Sequence, residues 1–450
     1  MVCHRLRPLP FDYRTLSTES STSLVSVARQ RRPFAFVYKP FKNKPYQGRL
    51  ALYIFSVAGR AVSFVLTQSS SLNQTMKVAA SRNLTRALCA ILITTCAIYA
   101  QAQTVLDQSI PIRGFCVAAP RVSSVDAFVK FIKDELAPRG VNTLILRVDF
   151  NYQYEKHPEL RDSIALSRSD VKKIVSVCKS SNIRLIPQIN LLGHQSWAGT
   201  VHNLLRVYPQ FDETPHVKMP ENYAWPNPDG LYCKSYCPLH PDLHKVVFEL
   251  VDEVCDAFET DAFHAGMDEV FYIGDDKCPR CSGRDKAELF AGEVTTIRNH
   301  LAQKGRELWI WGDRLIDGKT TGIGMWEGSM NNTFRAVDMI PKDVFICDWH
   351  YERPDKTAVY FAMKGLRVVT CPWRTPQVAT QQVDDMYKFR SSATKAMQPY
   401  FQGIVQTHWS GAENFMDGFY GKIKNEQAGD KTAWDTFRSI FPKPTAAPRK

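Results

Sequence analysis

Beyond residue 102 the chain has no surplus of charge of either sign. Of its 57 Lys+Arg and 45 Asp+Glu, residues 1–102 hold 14 and 2, which leaves 43 of each for the remainder. The formal net charge of +12 therefore belongs to the leader, and no nucleic-acid partner follows from it. Internal repeats are absent too, which excludes solenoids and propellers. The apolar stretch from Ala87 to Tyr99 falls short of the roughly 20 residues that span a bilayer, so no stable membrane insertion is expected.

What is present begins with "MKVAASRNLTRALCAILITTCAIYAQAQ". Basic Lys77, Arg82 and Arg86 precede the apolar stretch, and small residues Ala100–Ala102 follow it. These are the three regions of a secretory signal peptide. The expectation is translation from Met76, a signal peptide over 76–102 and an exported protein, periplasmic or secreted. Residues 1–75 are rich in Ser, Arg and Pro without a sustained period, and read as an unstructured extension or untranslated upstream sequence. The body is expected over 103–440, with "FPKPTAAPRK" (441–450) as a disordered tail.

Nine cysteines follow Ala102, an odd number. Cys116, Cys255, Cys347 and Cys371 lie in apolar runs and read as small core residues. "CKSYC" and "CPRC" lie in polar, turn-rich segments. Cys233, Cys237, Cys278 and Cys281 would suit either a four-thiolate zinc site or disulfides between the two segments. In both cases the role is to staple loops, and no catalysis is assigned to it.

From residue 110 onward, strand-like runs alternate with amphipathic ones. The strand-like runs are 112–119, 143–149, 184–190, 262–268, 307–313, 344–351, 367–373 and 403–409. The clearest helical pattern spans 241–258, with Pro241 in the first turn and a stripe of Leu243, Val246, Val247, Leu250, Val251 and Val254. A second places Ala287, Phe290, Val294, Ile297 and Leu301 on one face, with Gly305 just past its end. Eight strands with intervening helices predict an α/β fold, a (β/α)8 TIM barrel. The long connections 191–239 and 315–339 follow strand ends, on the face where barrel enzymes work.

"FHAGMDEV" puts Asp268 beside Glu269. The Asp-Glu dipeptide occurs at three other places, so the pair alone carries nothing. Strand alternation sets His264, Gly266 and Asp268 on one face, and Glu269 turns over the same opening where the strand ends. Two carboxylates at a dry mouth do not share a pKa, and the more desolvated one tends to stay protonated. Other predicted strand ends and the loops that follow them supply Arg121, Arg147, Asp149, His194, Trp309, Trp311, Trp326, Asp348, Tyr351, Trp373, Trp409 and Glu413. Aromatic walls with a few charged groups suit a carbohydrate, whose C–H faces stack on rings.

The chain from about 112 to 420 resembles the catalytic domain of family 20 glycoside hydrolases, the β-N-acetylhexosaminidases. "FHAGMDEV" is similar to the signature His-x-Gly-Gly-Asp-Glu, with Met267 in place of the second glycine. "RGFCVAAPR" matches Arg121 to the arginine that grips the terminal sugar. "IPQINLLGH" matches His194 to the active-site histidine, with Gln188 and Asn190 at acidic positions and Ala118 where the family usually has aspartate. "WSGAENF" spaces Trp409 and Glu413 more widely than typical members do.

The resemblance implies exo-acting hydrolysis in which the 2-acetamido oxygen of the substrate is the nucleophile. It assigns Glu269 as the acid and Asp268 as the group that orients the acetamido N–H and stabilises the oxazolinium-like intermediate, and it implies no metal or cofactor. It implies substrate contacts from Arg121, His194, His264, Tyr351, Trp326, Trp409 and Glu413. The rival readings are a non-catalytic glycan-binding barrel and a retaining glycosidase that pairs a catalytic carboxylate with Glu413 or Asp348.

Overall fold

The structure is a computed structural model that describes residues 49–55, 61–67, 109–221, 233–423 and 432–443. The expected signal peptide, 76–102, lies outside the described residues. The chain forms two units, residues 1–90 and 91–450.

In the first unit, strands Arg49–Phe55 and Ala61–Thr67 pair antiparallel, Arg49 opposite Thr67 and Phe55 opposite Ala61. The expectation of a segment without regular structure fails at these two strands. "RLALYIF" and "AVSFVLT" are rich in the β-branched and aromatic residues that favour pleated backbone.

The second unit is a (β/α)8 barrel. Its strands are β1 Ile112–Ala118, β2 Thr143–Arg147, β3 Arg184–Leu191 and β4 Ala262–Gly266. They continue as β5 Glu307–Trp311, β6 Phe345–Asp348, β7 Arg367–Thr370 and β8 Phe401–Thr407. All pair in parallel in chain order, and β8 closes on β1 with Gly403 opposite Ile112. The eight runs read from the sequence are these eight strands, most of them ending a few residues sooner than expected.

Two apolar layers flank the closed sheet. Outside it, residues such as Phe115, Leu144, Phe263, Ala265 and Met267 pack against the helices. The helix Leu243–Ala257 buries the predicted stripe. It starts after Asp242, however, so Pro241 sits in the preceding turn, where the N–H of Asp242 is taken by Nδ1 of His240 at 3.2 Å. The helix Lys286–Ala302 also buries its predicted face, its first N–H groups capped by Asp285.

Inside, Cys116, Ile145, Ile186, Trp309, Trp311, Phe345 and Cys347 fill the barrel. Trp309 stacks on Phe345 at 3.8 Å and is barrel filling rather than a wall of the mouth. The tail also differs from expectation at its start. Phe441 is buried against Phe437, and its carbonyl accepts from Arg139, so the fold extends at least that far. Residues 444–450 lie outside the described residues. Among the described residues no helix is long and apolar enough to cross a membrane.

Candidate active site

The site is built on the end of β4. Its alternation sends Phe263, Ala265 and Met267 outward into the helical layer and His264 inward against Trp311, with ring centroids 4.5 Å apart. The strand stops at Gly266 (φ +68°), where a Cβ would lie 2.4 Å from Oδ1 of Asn190. Met267 (φ +68°) and Glu269 (φ +49°) also adopt the left-handed region. Each non-glycine residue there costs about 1–2 kcal/mol. The return is convergence. The carboxylates of Asp268 and Glu269 both lie 3.2 Å from Nε2 of His194.

His194 reaches that point because "LLGH" after β3 is itself tightly turned, with Leu192 at φ +62° and His194 at +52°. Gly193 between them lies against the end of β4. A Cβ there would come within 2.6 Å of the Asp268 carbonyl oxygen. The exposed ring of Trp197 stacks on the His194 ring at 5.9 Å.

Electrostatics couple the three groups. Burial opposes charge on His194, yet Asp268 and Cys233 together raise its pKa well above the usual histidine value. Burial likewise pushes Asp268 up, and His194 outweighs it, so the carboxyl stays below its usual range. The pair is an imidazolium and a carboxylate. This corrects the expectation from burial alone. Asp268 is the more buried carboxylate, with 5% of its side chain exposed against 13% for Glu269, yet His194 holds its pKa below the usual range. Its Oδ2 faces His194, while its Oδ1 is buried and has no hydrogen-bond partner.

Three further residues complete this half. His264 is fully buried, and burial takes its pKa down to about 3. Its Nδ1 accepts the N–H of Gly266 at 3.0 Å, so the neutral ring carries its proton on Nε2, which has no partner. Cys233, expected with the other three loop thiols, lies instead beside Glu269 and His194. Burial pushes its thiol up to about 12, and it donates to Oε2 of Glu269 at 3.5 Å. Residues 222–232 lie outside the described residues, and the spacing of "CKSYC" alone does not tell the surroundings of Cys233 from those of Cys237.

Asp313 was not identified from the sequence. Its Oδ2 accepts the backbone N–H of Glu269 (2.9 Å) and Nε of Arg314 (2.6 Å), and its Oδ1 accepts Nε1 of Trp349 (3.2 Å). Burial raises its pKa to about 6 against the pull of Arg314. The signal in the sequence was the charged pair in "WGDR" at a strand end. Arg314 in turn donates to the carbonyls of Met325, Trp326 and Gly328, which fixes the loop that carries Trp326.

The other half of the mouth is aromatic. Trp326, Tyr351 and Trp409 pack on the barrel filling. Nε1 of Trp409 donates to the Tyr351 oxygen at 2.7 Å, and burial keeps that phenol protonated by raising its pKa well above the usual value. Tyr351 also meets Trp349 (5.0 Å) and Trp373 (5.4 Å). Trp311 links the halves, touching His264 on one side and Trp409 at 5.4 Å on the other. Arg147 lies 5.0 Å over the Trp409 ring and donates to the carbonyl of His408.

Behind the rings, the buried His350 ties two segments together. Nδ1 faces Oε2 of Glu327 at 2.8 Å and Nε2 faces Oδ1 of Asp348 at 3.1 Å. Against burial, Asp348 and Glu327 push its pKa up to about 10. Asp348 also accepts the Thr357 hydroxyl at 2.7 Å, so its oxygens serve the scaffold. At the rim, Oε1 of Glu413 accepts the backbone N–H of Arg121 at 2.7 Å, which joins these two residues to each other.

Potential metal ligands cluster within 4.8 Å of one another in three places among the described residues. They are His194–Cys233–Glu269, Glu327–His350–Asp355 and Glu213–Cys237–Cys278–Cys281.

The catalytic-domain profile of glycosyl hydrolase family 20 matches residues 145–447. A lacto-N-biosidase of Bifidobacterium bifidum is 25% identical over 224 residues, 47% of this chain and 18% of that protein. A β-hexosaminidase of Emericella nidulans is 23% identical over 277 residues, 55% of this chain and 42% of that protein. The chain thus spans less than half the length of these curated relatives. A chitobiase structure from Flavobacterium johnsoniae superposes with a TM-score of 0.52 at 18% identity, covering 74% of this chain and 50% of that one, a likeness of fold. With the profile running from β2 past the end of β8, and the Asp268–Glu269 pair at the end of β4, the chain belongs to glycosyl hydrolase family 20.

Proposed function

We propose that the protein hydrolyses terminal β-linked N-acetylhexosamine, GlcNAc or GalNAc, from glycans with retention of anomeric configuration. The observation that carries this reading is the division of labour within Asp268. One oxygen is held by a charged histidine, and the other is buried, ionised and without a donor. Such an acceptor suits the N–H of a 2-acetamido group.

Glu269 protonates the glycosidic oxygen, and the C1–O bond breaks as the acetamido carbonyl oxygen attacks C1. Asp268 accepts the acetamido N–H and stabilises the oxazolinium cation. Water then attacks C1, Glu269 takes its proton, and the ring opens to the free sugar. Tyr351 donates to the acetamido oxygen, Trp326 and Trp409 wall that pocket, and Arg121 and Glu413 meet sugar hydroxyls at the rim. Two inversions give retention. His264 forms part of the floor.

A two-carboxylate displacement needs an opposing nucleophile. Asp348 is bound to His350 and Thr357, and Glu413 to the N–H of Arg121, which favours the substrate's own oxygen.

The decisive experiment compares aryl β-glycosides that differ only at C2. The 2-acetamido compounds should turn over with retention and the 2-hydroxy compounds should not. Equal rates would refute the mechanism. Export is proposed from residues 76–102 alone. N-terminal sequencing of exported protein should begin near Gln103, and a mature chain that retains residues before Met76 would overturn this.

A further inference from the structure

Two loops at the barrel mouth carry three cysteines and a glutamate away from the catalytic pair. Glu213 and Cys237 belong to the connection between β3 and β4, and Cys278 and Cys281 to the loop after β4. All four side chains are buried. Sγ of Cys237 lies 3.5 Å from Sγ of Cys281 and 3.6 Å from Sγ of Cys278, and the four candidate ligand atoms lie within 4.8 Å of one another. Zn–S bonds of about 2.3 Å directed to tetrahedral corners set sulfurs about 3.8 Å apart. A disulfide would draw two sulfurs to about 2.05 Å and leave the third thiol behind.

Glu213 supplies the second observation. Its Oε1 accepts the backbone N–H of Asp275 at 3.0 Å, while its Oε2 is buried and has only the weakly donating thiols of Cys278 and Cys281 beside it. A buried carboxylate oxygen left in that state is costly unless a cation or donor meets it. Backbone N–H groups complete the surroundings. Those of Arg280 and Cys281 point at the Cys278 sulfur, and that of Leu239 points at Cys237. Such contacts support negative charge on a metal-bound thiolate.

The geometry points to a structural zinc site made by Cys237, Cys278, Cys281 and Glu213, which pins the β3–β4 connection to the loop that follows the catalytic strand. Three thiolates and one carboxylate fill a four-coordinate shell, so no position is open for catalysis. Zn2+ binds as the three thiols release their protons to solvent. Cys233 lies four residues before Cys237 and touches Glu269, so the pin also sets the thiol beside the proton donor.

The test uses the full chain purified without chelators. Elemental analysis should find about one zinc per chain. Replacement by Co2+ should give the intense visible bands of tetrahedral cobalt, with thiolate charge transfer at shorter wavelength. Cys281→Ser should remove roughly a third of that charge-transfer intensity, since one of three thiolates is gone. Glu213→Gln keeps every thiol and should weaken zinc retention against a chelator tenfold or more. A zinc-free chain with three titratable thiols here would overturn the assignment, as would a chain lighter by two hydrogens. If Cys281→Ser does not fold, Glu213→Gln still decides, because a disulfide would be indifferent to it. None of these readouts depends on glycosidase activity.

Discussion

Across the mouth, the ends of β2, β3 and β4 hold non-glycine residues in the left-handed region, namely Asp149, Leu192, His194, Met267 and Glu269. The ends of β6, β7 and β8 hold none among the described residues. The strained half is the charged one, and the relaxed half is the aromatic one. Bringing two carboxylates and an imidazolium within hydrogen-bond reach needs backbone turns that an ordinary strand end does not provide, and surrounding packing must hold them. Large rings cover a wall from unstrained positions, because their size does the reaching. Chemistry in this barrel is therefore expected to fail on the charged side and weaken on the aromatic side.

The largest effect should come from Glu269→Gln, which removes the proposed proton donor and leaves the shape. General acid catalysis contributes roughly 10²–10⁴-fold. The loss of kcat/KM should fall in that range for poor leaving groups and be much smaller for activated aryl glycosides. Equal losses for both classes would show that Glu269 is not the acid.

Asp268→Asn should come next. Removing a charge aimed at a developing cation costs on the order of 10²–10³ in kcat. Binding of a thiazoline mimic of the cyclic intermediate should weaken in parallel, since that mimic resembles the transition state. The same variant takes from His194 the partner that raises its pKa, so NMR should show the imidazole titrating at lower pH than in the native chain. An unchanged His194 titration would break the proposed coupling.

On the aromatic side, Tyr351→Phe removes one neutral hydrogen bond worth about 1 kcal/mol, so kcat/KM should fall only about 5–10-fold. A loss as large as that of Asp268→Asn would erase the contrast between the halves.

The smallest expected effect is one of stability. Burial raises the Asp313 pKa from 3.8 to about 6, so its contribution is fully present below 3.8 and is lost as pH rises through 6. The native chain should therefore lose more thermal stability between pH 4 and pH 8 than Asp313→Asn, which does not ionise. Parallel Tm profiles would show that Asp313 is ionised throughout.

Period and turn chemistry made much of the barrel legible in advance. The runs around Val117, Ile186 and Val369 are apolar because strands in a closed parallel barrel are covered on both sides. His264 and Asp268 were legible because a two-residue period fixes which side chains share a face. Asp313 was not, since a carboxylate whose work is to hold another residue's N–H looks like any aspartate at a strand end. The place of Glu213 beside three thiols, in the position expected of Cys233, was not legible for a similar reason: thiol spacing within a loop does not say which neighbour folds against it.

By itself, then, the sequence determined the succession of strands and helices, the inward face of β4 and the chemical identity of the pair at its end. Those properties depend on residues a few positions apart. Only the tertiary structure decided that Asp268 is held ionised against its own burial, that Asp313 anchors the Glu269 backbone, and that Glu213 joins three thiols. Charge state and partner choice depend on burial and on groups dozens of residues away along the chain, which meet only when the barrel closes.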